Sequence, residues 1–161
     1  MSKENQEVKG FLSLDVVLGR NTLELAELPT GEFYVSRLGG LVPWTAIDQN
    51  EYKNAKKGCL TLKAAGKGRQ DVEFDDDKMK VRLIVAAVDK DKRSDFSFAS
   101  KQLLDKLTEA SVAKGGDKIN TAEQAVAFLV SPGEIHDWAM DIQDAAGFAD
   151  KDDELADDIK N

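Results

Sequence analysis

The chain has 161 residues, of which 42% are apolar and 32% charged, and its formal net charge is −8. This length suits one domain with its own apolar core, and this balance of residues is typical of a globular chain, not a disordered one. The excess of acids disfavours binding to nucleic acids or anionic membrane surfaces, and the single cysteine excludes an internal disulfide and fits a reducing compartment.

Residues 1–18 give no firm element. The start is polar, and neither a signal-peptide segment nor an apolar run long enough to span a membrane follows it, so we expect a cytoplasmic protein. The stretch FLSLDVVL, residues 11–18, is apolar on both faces. A strand and a buried helix therefore both remain open for it.

Three short segments between residues 22 and 47 alternate apolar and polar residues. They read TLELAEL, EFYVSRL and LVPWTAI, and PTG and GG separate them. Proline and glycine occur where a chain reverses direction, so the pattern predicts a small antiparallel meander over roughly residues 20–47. Pro43 has no N–H to donate, so the third strand is an edge strand or begins after it.

A helix is predicted from Asp48 to about Lys57. Asp48 and Glu51 have the spacing of a capping box, and Gly58 closes the helix. The next residue, Cys59, is expected to be a small buried apolar side chain. Residues 60–75 show no sustained period and are expected to form a loop.

The segment 53–69 is the one basic stretch of the chain. It has no aromatic residue on which a base could stack, and GKGRQD lacks the spacing of a phosphate-binding loop. A solvated helix end followed by a loop is therefore favoured over a nucleic-acid site.

Residues 75–114 contain two further predicted helices. The stretch of residues 75–88 begins with three acids ahead of its apolar run, which favours a helix start, although the β-branched VRLIV leaves a strand open for residues 81–88. A second helix is predicted over residues 100–114, ending at Gly115 and Gly116. Its apolar stripe comprises Leu103, Leu104, Leu107 and Ala110.

Two more capping boxes begin the last two helices, one at Thr121 with Gln124 and one at Ser131 with Glu134. Pro132 occupies the first helical position of the second, where its missing N–H has no cost. Gly147 is expected to end that helix, with Phe148 folding back on its last turn. The side chains expected to face inward are Val126, Leu129, Val130, Ile135, Trp138, Ala139 and Ile142.

Glu134 and His136, the only histidine of the chain, are a candidate catalytic pair, but their spacing argues against this role. Glu134 and His136 are two residues apart, so they point about 200° away from one another on a helix. With one histidine, one cysteine and no cluster of ligands at metal spacing, we predict no catalytic residues, no metal site and no cofactor.

The last residues, 149–161, form an acidic tail that is expected to be disordered, after a single domain of residues 1–148. Leu155 and Ile159 lie four residues apart among acids and are the candidate partner-binding residues. The overall prediction is an α+β fold, with a small antiparallel meander in the N-terminal third followed by about four helices.

Two stretches resemble a known family, the XkdN-like tail assembly chaperones of tailed phages and prophages. FYVSRLGGLVPWTAIDQNEY, residues 33–52, is similar to that family's two strands followed by an acid-capped helix. The helix LLDKL and then FLVSPGEIHDWAMDIQDAAGF, residues 128–148, are similar to its leucine-rich helix and its Pro-Gly-Glu helix ending in Gly-Phe. The resemblance covers roughly residues 30–148.

The resemblance implies a non-enzymatic protein of the host cytoplasm that acts late in phage assembly. It would keep the long helical tape measure protein soluble, help the tail tube protein to polymerise around it, and leave before the particle is finished. The family has no catalytic residues to transfer to this chain. The alternative is a minor structural protein that is retained in the tail or its connector.

Overall fold

The computed structural model describes residues 10–64 and 66–148, and this part of the chain forms seven helices and two antiparallel hairpins. The α+β prediction is confirmed. The strands are β1 (Thr30–Val35), β2 (Gly40–Thr45), β3 (Leu60–Ala64) and β4 (Gln70–Phe74). The helices are α1 (Leu14–Leu18), α2 (Thr22–Ala26), α3 (Gln49–Lys57), α4 (Asp76–Lys90), α5 (Lys101–Ala113), α6 (Ala122–Leu129) and α7 (Pro132–Ala145).

The N-terminal segment differs from the three-stranded meander that the sequence predicts. The prediction of a first strand is wrong, because Thr22–Ala26 is the helix α2. This helix begins where Asn21 Oδ1 accepts a hydrogen bond from the Leu23 N–H at 2.8 Å. No residue of α2 is buried, so no covered face favours a strand over the locally capped helix. Residues 11–18 contain α1, which is a helix but not a buried one.

The two other predicted strands pair as an antiparallel hairpin. The register runs from Thr30 opposite Thr45 to Val35 opposite Gly40. Pro43 lies within β2, and the prediction of an edge strand is confirmed because both strands of a two-stranded sheet are edges. The inner face of the hairpin carries its buried side chains, Phe33, Val35, Val42 and Trp44.

Helix α4 is the centre of the fold, since it packs against β2, α3, α6 and α7. It begins at Asp75, whose side chain accepts a hydrogen bond from the Lys78 N–H at 3.0 Å. Residues 81–88 are therefore helical, and neighbours on several sides cover their β-branched side chains. The buried residues of α4 are Met79, Leu83, Ile84, Ala87 and Val88.

Helix α3 begins and ends as predicted. Asp48 and Glu51 exchange two hydrogen bonds of 2.8 Å between the side chain of each and the backbone N–H of the other, and Gly58 is the C-cap. The Lys90 ammonium in α4 contacts the Glu51 carboxylate at 2.6 Å and donates to the Ala46 carbonyl at 2.9 Å. These contacts hold the start of α3 against the end of α4.

The two final helices also begin at the predicted capping boxes, at Thr121 and Ser131. Gly147 has a φ of 86°, and the Phe148 N–H donates to the Gln143 carbonyl at 3.0 Å, so the chain folds back over the last turn of α7. All the side chains predicted to face inward are buried, except Ile135, which is half-buried.

The stripe of α5 differs from the prediction by one position. Leu107 is buried and Leu103 and Leu104 are half-buried, but Ala110 is exposed and Ser111 is buried in its place. The physical reason is the helix end, where the chain folds back over Ser111 and the Gly116 N–H donates to the Ser111 carbonyl at 2.9 Å.

A buried acid holds the first hairpin to the end of α4. The Asp91 carboxylate accepts hydrogen bonds from the Thr45 hydroxyl at 2.9 Å and from the Arg93 guanidinium at 2.9 Å. Arg93 also donates to the Gly31 and Trp44 carbonyls, at 2.8 and 3.3 Å. The hydrogen bonds from Arg93 lower the pKa of Asp91 to about 2, although burial acts in the opposite direction.

Candidate functional surface

Two serine hydroxyls, and not His136, are the hydrogen-bond partners of the Glu134 side chain. The Glu134 carboxylate accepts hydrogen bonds from the Ser131 hydroxyl at 2.8 Å and from the Ser36 hydroxyl at 2.7 Å. The hydrogen bond from Ser36 has the larger effect in lowering the pKa of Glu134, and the one from Ser131 lowers it further. Glu134 thus caps α7 and ties the turn of the first hairpin to it, while His136 is exposed on the helix.

The one cysteine is a packed side chain, as predicted. Cys59 is buried, its Sγ lies 3.3 Å from the Ala55 carbonyl, and burial raises the pKa of the thiol, which disfavours the reactive thiolate. Within residues 10–64 and 66–148, no three His, Cys, Asp or Glu side chains are grouped so that they could hold a metal ion. None of the helices in these ranges is long and apolar enough to cross a membrane.

The segment 60–75, expected to be a loop, is the second hairpin, and this expectation is wrong. Gly66, Lys67 and Gly68 all have φ between 51° and 76°, which allows the chain to reverse tightly between β3 and β4. The Asp75 N–H donates to the Cys59 carbonyl at 2.9 Å and closes the base of the hairpin.

One face of this second hairpin is apolar and exposed. Leu60 lies opposite Phe74 and Leu62 opposite Val72, and because residues two apart share a face, the two pairs are neighbours. Leu62 and Val72 are each 64% exposed, and every residue of both strands is exposed. We call these four side chains the hairpin face. The other side is polar, with an ion pair between Lys63 and Glu73.

A second exposed apolar surface lies at the start of the described chain. Residues 10–26, which include α1 and α2, have no buried side chain, and we call them the N-terminal arm. Phe11 is fully exposed. The exposed large apolar side chains of the arm are Phe11, Leu12, Leu14, Val16, Leu18, Leu23 and Leu25.

The first hairpin contributes a smaller apolar patch on its outer face. Tyr34 and Leu41 are cross-strand neighbours and are exposed, and Leu38 in the turn is exposed too. The turn itself is fixed, because the Arg37 guanidinium donates to the Phe128 carbonyl and lies 5.4 Å from the centre of the Phe128 ring.

The partner-binding residues named from the sequence, Leu155 and Ile159, lie outside the described residues. The basic stretch 53–69 is divided among the end of α3, the strand β3 and the turn of the second hairpin. The alternation that defines the hairpin face was visible in the sequence as Leu60, Leu62, Val72 and Phe74 on either side of a glycine-containing turn.

Comparison with protein families matches residues 14–160 to the family described as phage XkdN-like tail assembly chaperone protein. Comparisons with curated proteins and with solved structures gave no match. The family match begins at α1 and thus includes the N-terminal arm from its first helix onward, which the motifs at residues 30–148 did not cover. The chain belongs to the XkdN-like family of phage tail assembly chaperones.

Proposed function

We propose that this chaperone binds the tape measure protein, the tail tube protein or both during tail assembly, and that it catalyses no reaction. The family supports the general role of a tail assembly chaperone. The partners and the mode of binding are the proposal. In this account the protein acts in the cytoplasm of the host and is absent from the finished particle.

The observation that carries the proposal is the N-terminal arm. Its helices have five residues each, and isolated helices shorter than about 12 residues are marginal in water. Apolar side chains that are exposed together in this way are typical of interaction sites. Leu14 and Leu18 are four residues apart, so they lie on one side of α1 and offer an apolar edge to a partner helix.

The acidity of the chain suits the same role. A long helical partner with unburied apolar stripes tends to aggregate, and a bound chain with a net charge of −8 makes such complexes repel one another. Apolar contact would provide the affinity, and charge would provide the solubility.

Residues 149–161 are proposed to form an acidic extension of a single domain of residues 1–148. Leu155 and Ile159 are proposed to contact the partner as one turn of helix, while the surrounding acids steer the tail toward a basic patch.

The location of the protein separates this proposal from its alternative. We expect antibody or mass-spectrometric detection to find the chaperone in infected cells with tape measure or tube protein, and to find none in purified particles. A fixed number of copies in each purified particle would contradict the proposal and would identify a minor structural protein of the tail or connector.

A further inference from the structure

Among the residues that the structure describes, none covers the hairpin face in the way that such a sheet needs. A two-stranded hairpin is at best marginally stable alone in water, and additional strands or a packed helix normally cover its apolar side. The inner face of the first hairpin is covered in this way, by α4 and α7. Leu62 and Val72 have no such cover within the described residues, although the strand pattern places both on the apolar side.

The two ends of the second hairpin carry opposite charges. Lys67 and Arg69 are exposed in the turn, and within the described residues neither lies in an ion pair. At the other end, Asp75, Asp76 and Asp77 follow β4 directly and are exposed. Asp76 and Asp77 lie 3.4 and 3.9 Å from the Lys80 ammonium, but their side chains stay 71% and 97% exposed and can meet a second cation. Strands of five residues separate the two ends by about 16 Å.

We propose that the hairpin face binds the same face of a second copy of this chain, with the two hairpins antiparallel. A two-fold axis then places the turn of each hairpin near the base of the other. Lys67 and Arg69 of one copy meet Asp76 and Asp77 of its partner, and the same contact forms a second time. Such self-complementarity is the requirement of a symmetric dimer interface.

The dimer is expected to be weak. A stable interface buries roughly 800 Å² on each partner, and four partly exposed side chains offer less than that. We therefore expect the dimer to dissociate at micromolar concentrations. It covers the hairpin face in more concentrated solutions of the free chaperone and opens readily on dilution.

The test is sedimentation equilibrium of the full chain over a range of protein concentrations, with the fold of each variant checked by circular dichroism. We expect a monomer–dimer equilibrium in the native protein. Leu62→Asp with Val72→Asp is expected to abolish it. Tyr34→Asp with Leu41→Asp is the matched control, because it alters an exposed cross-strand pair on the first hairpin, and it is expected to leave the dimer unchanged.

A charge exchange tests the antiparallel arrangement. Lys67→Glu with Arg69→Glu makes both ends of the hairpin acidic, and Asp76→Lys with Asp77→Lys makes both ends basic. Each variant alone is expected to dimerise about tenfold more weakly or worse, and an equal mixture of the two is expected to recover the native affinity, because every contact in the mixed dimer is again between opposite charges.

A native chain that remains monomeric at all concentrations would overturn the proposal and would leave the hairpin face to a different partner. A dimer that Leu62→Asp with Val72→Asp does not weaken, or one that mixing the charge variants does not restore, would overturn it equally.

Discussion

The ring of Phe33 stacks face to face on the indole of Trp138, with 4.4 Å between the ring centroids and 2° between the ring planes. Phe33 lies in β1 and Trp138 in α7, so this contact joins the first hairpin directly to the last helix, and α4 packs against both. Trp44 stacks on Phe33 as well, at 5.2 Å. The three stacked rings pack the first hairpin against α7.

We expect Trp138→Ala to lower the free energy of unfolding by about 3–5 kcal/mol, because it removes a buried ring from this stack. His136→Ala, two residues earlier on the exposed side of α7, should change it by less than about 0.5 kcal/mol. Urea denaturation of both variants measures the difference. An unchanged midpoint for Trp138→Ala would contradict the assignment of this helix face to the core.

We expect Gly31 to tolerate substitution less well than Gly40, although both are in the first hairpin. A Cβ atom on Gly31 would lie 2.5 Å from the Trp44 indole, whereas one on Gly40 would meet nothing within 4 Å. Gly31→Ala should therefore cost about 1–3 kcal/mol of stability, and Gly40→Ala should be close to neutral. Thermal unfolding compares the two variants, and equal losses would show that the indole moves aside freely.

Acid should weaken the attachment of the first hairpin through Asp91. Its pKa is about 2 in the folded protein and 3.8 in its ordinary state, so its charge stabilises the fold above pH 4 and this stability is lost as the pH falls toward 2. The contribution is about 2 kcal/mol. In Asp91→Asn, the loss of stability between pH 5 and pH 2 should be smaller by that amount, measured by urea unfolding at each pH. An identical pH dependence of stability in the native protein and in Asp91→Asn would argue against this role of Asp91.

Truncation after Phe148 tests the acidic tail. Phe148 is retained in this variant because its ring stacks on Tyr52 at 4.6 Å, so the midpoint of thermal unfolding should not change. If the tail contacts the partner, the truncated protein should bind less tape measure or tube protein, and Leu155→Asp with Ile159→Asp should reproduce the loss. Neutralising Asp157 and Asp158 is the control, which should leave an apolar contact in place. Unchanged binding after truncation would rule out a role for the tail.

The sequence predicted the helical part well because its signals are local. The capping boxes at Asp48, Thr121 and Ser131 each depend on residues three apart, and each forms as expected. A capped start followed by an apolar stripe defines a helix without knowledge of the rest of the chain. The α+β class followed from the position of these signals after the alternating segments.

The strand predicted at residues 22–26 and the loop predicted at residues 60–75 were both wrong because strand pairing depends on residues distant in sequence. Leu23 and Leu25 alternate like strand residues, but residues 10–64 and 66–148 provide them with no partner strand and no covered face, and the cap at Asn21 favours a helix. In the second hairpin, the alternation of Leu60 with Leu62 was short and its partner lay beyond a glycine-containing turn. The sequence therefore located the helical core correctly and missed the exposed apolar surfaces of the N-terminal arm and the second hairpin.

The yield of soluble tape measure protein on co-expression tests the central claim most directly. We expect the native chaperone to raise this yield, and Leu14→Asp with Leu18→Asp in the N-terminal arm to remove most of the increase. Ala110→Asp with Val112→Asp is the control: it adds the same charge at exposed positions of α5 and should leave the increase in yield unchanged. An arm variant that folds and still solubilises the tape measure protein as well as the native chain would contradict the account.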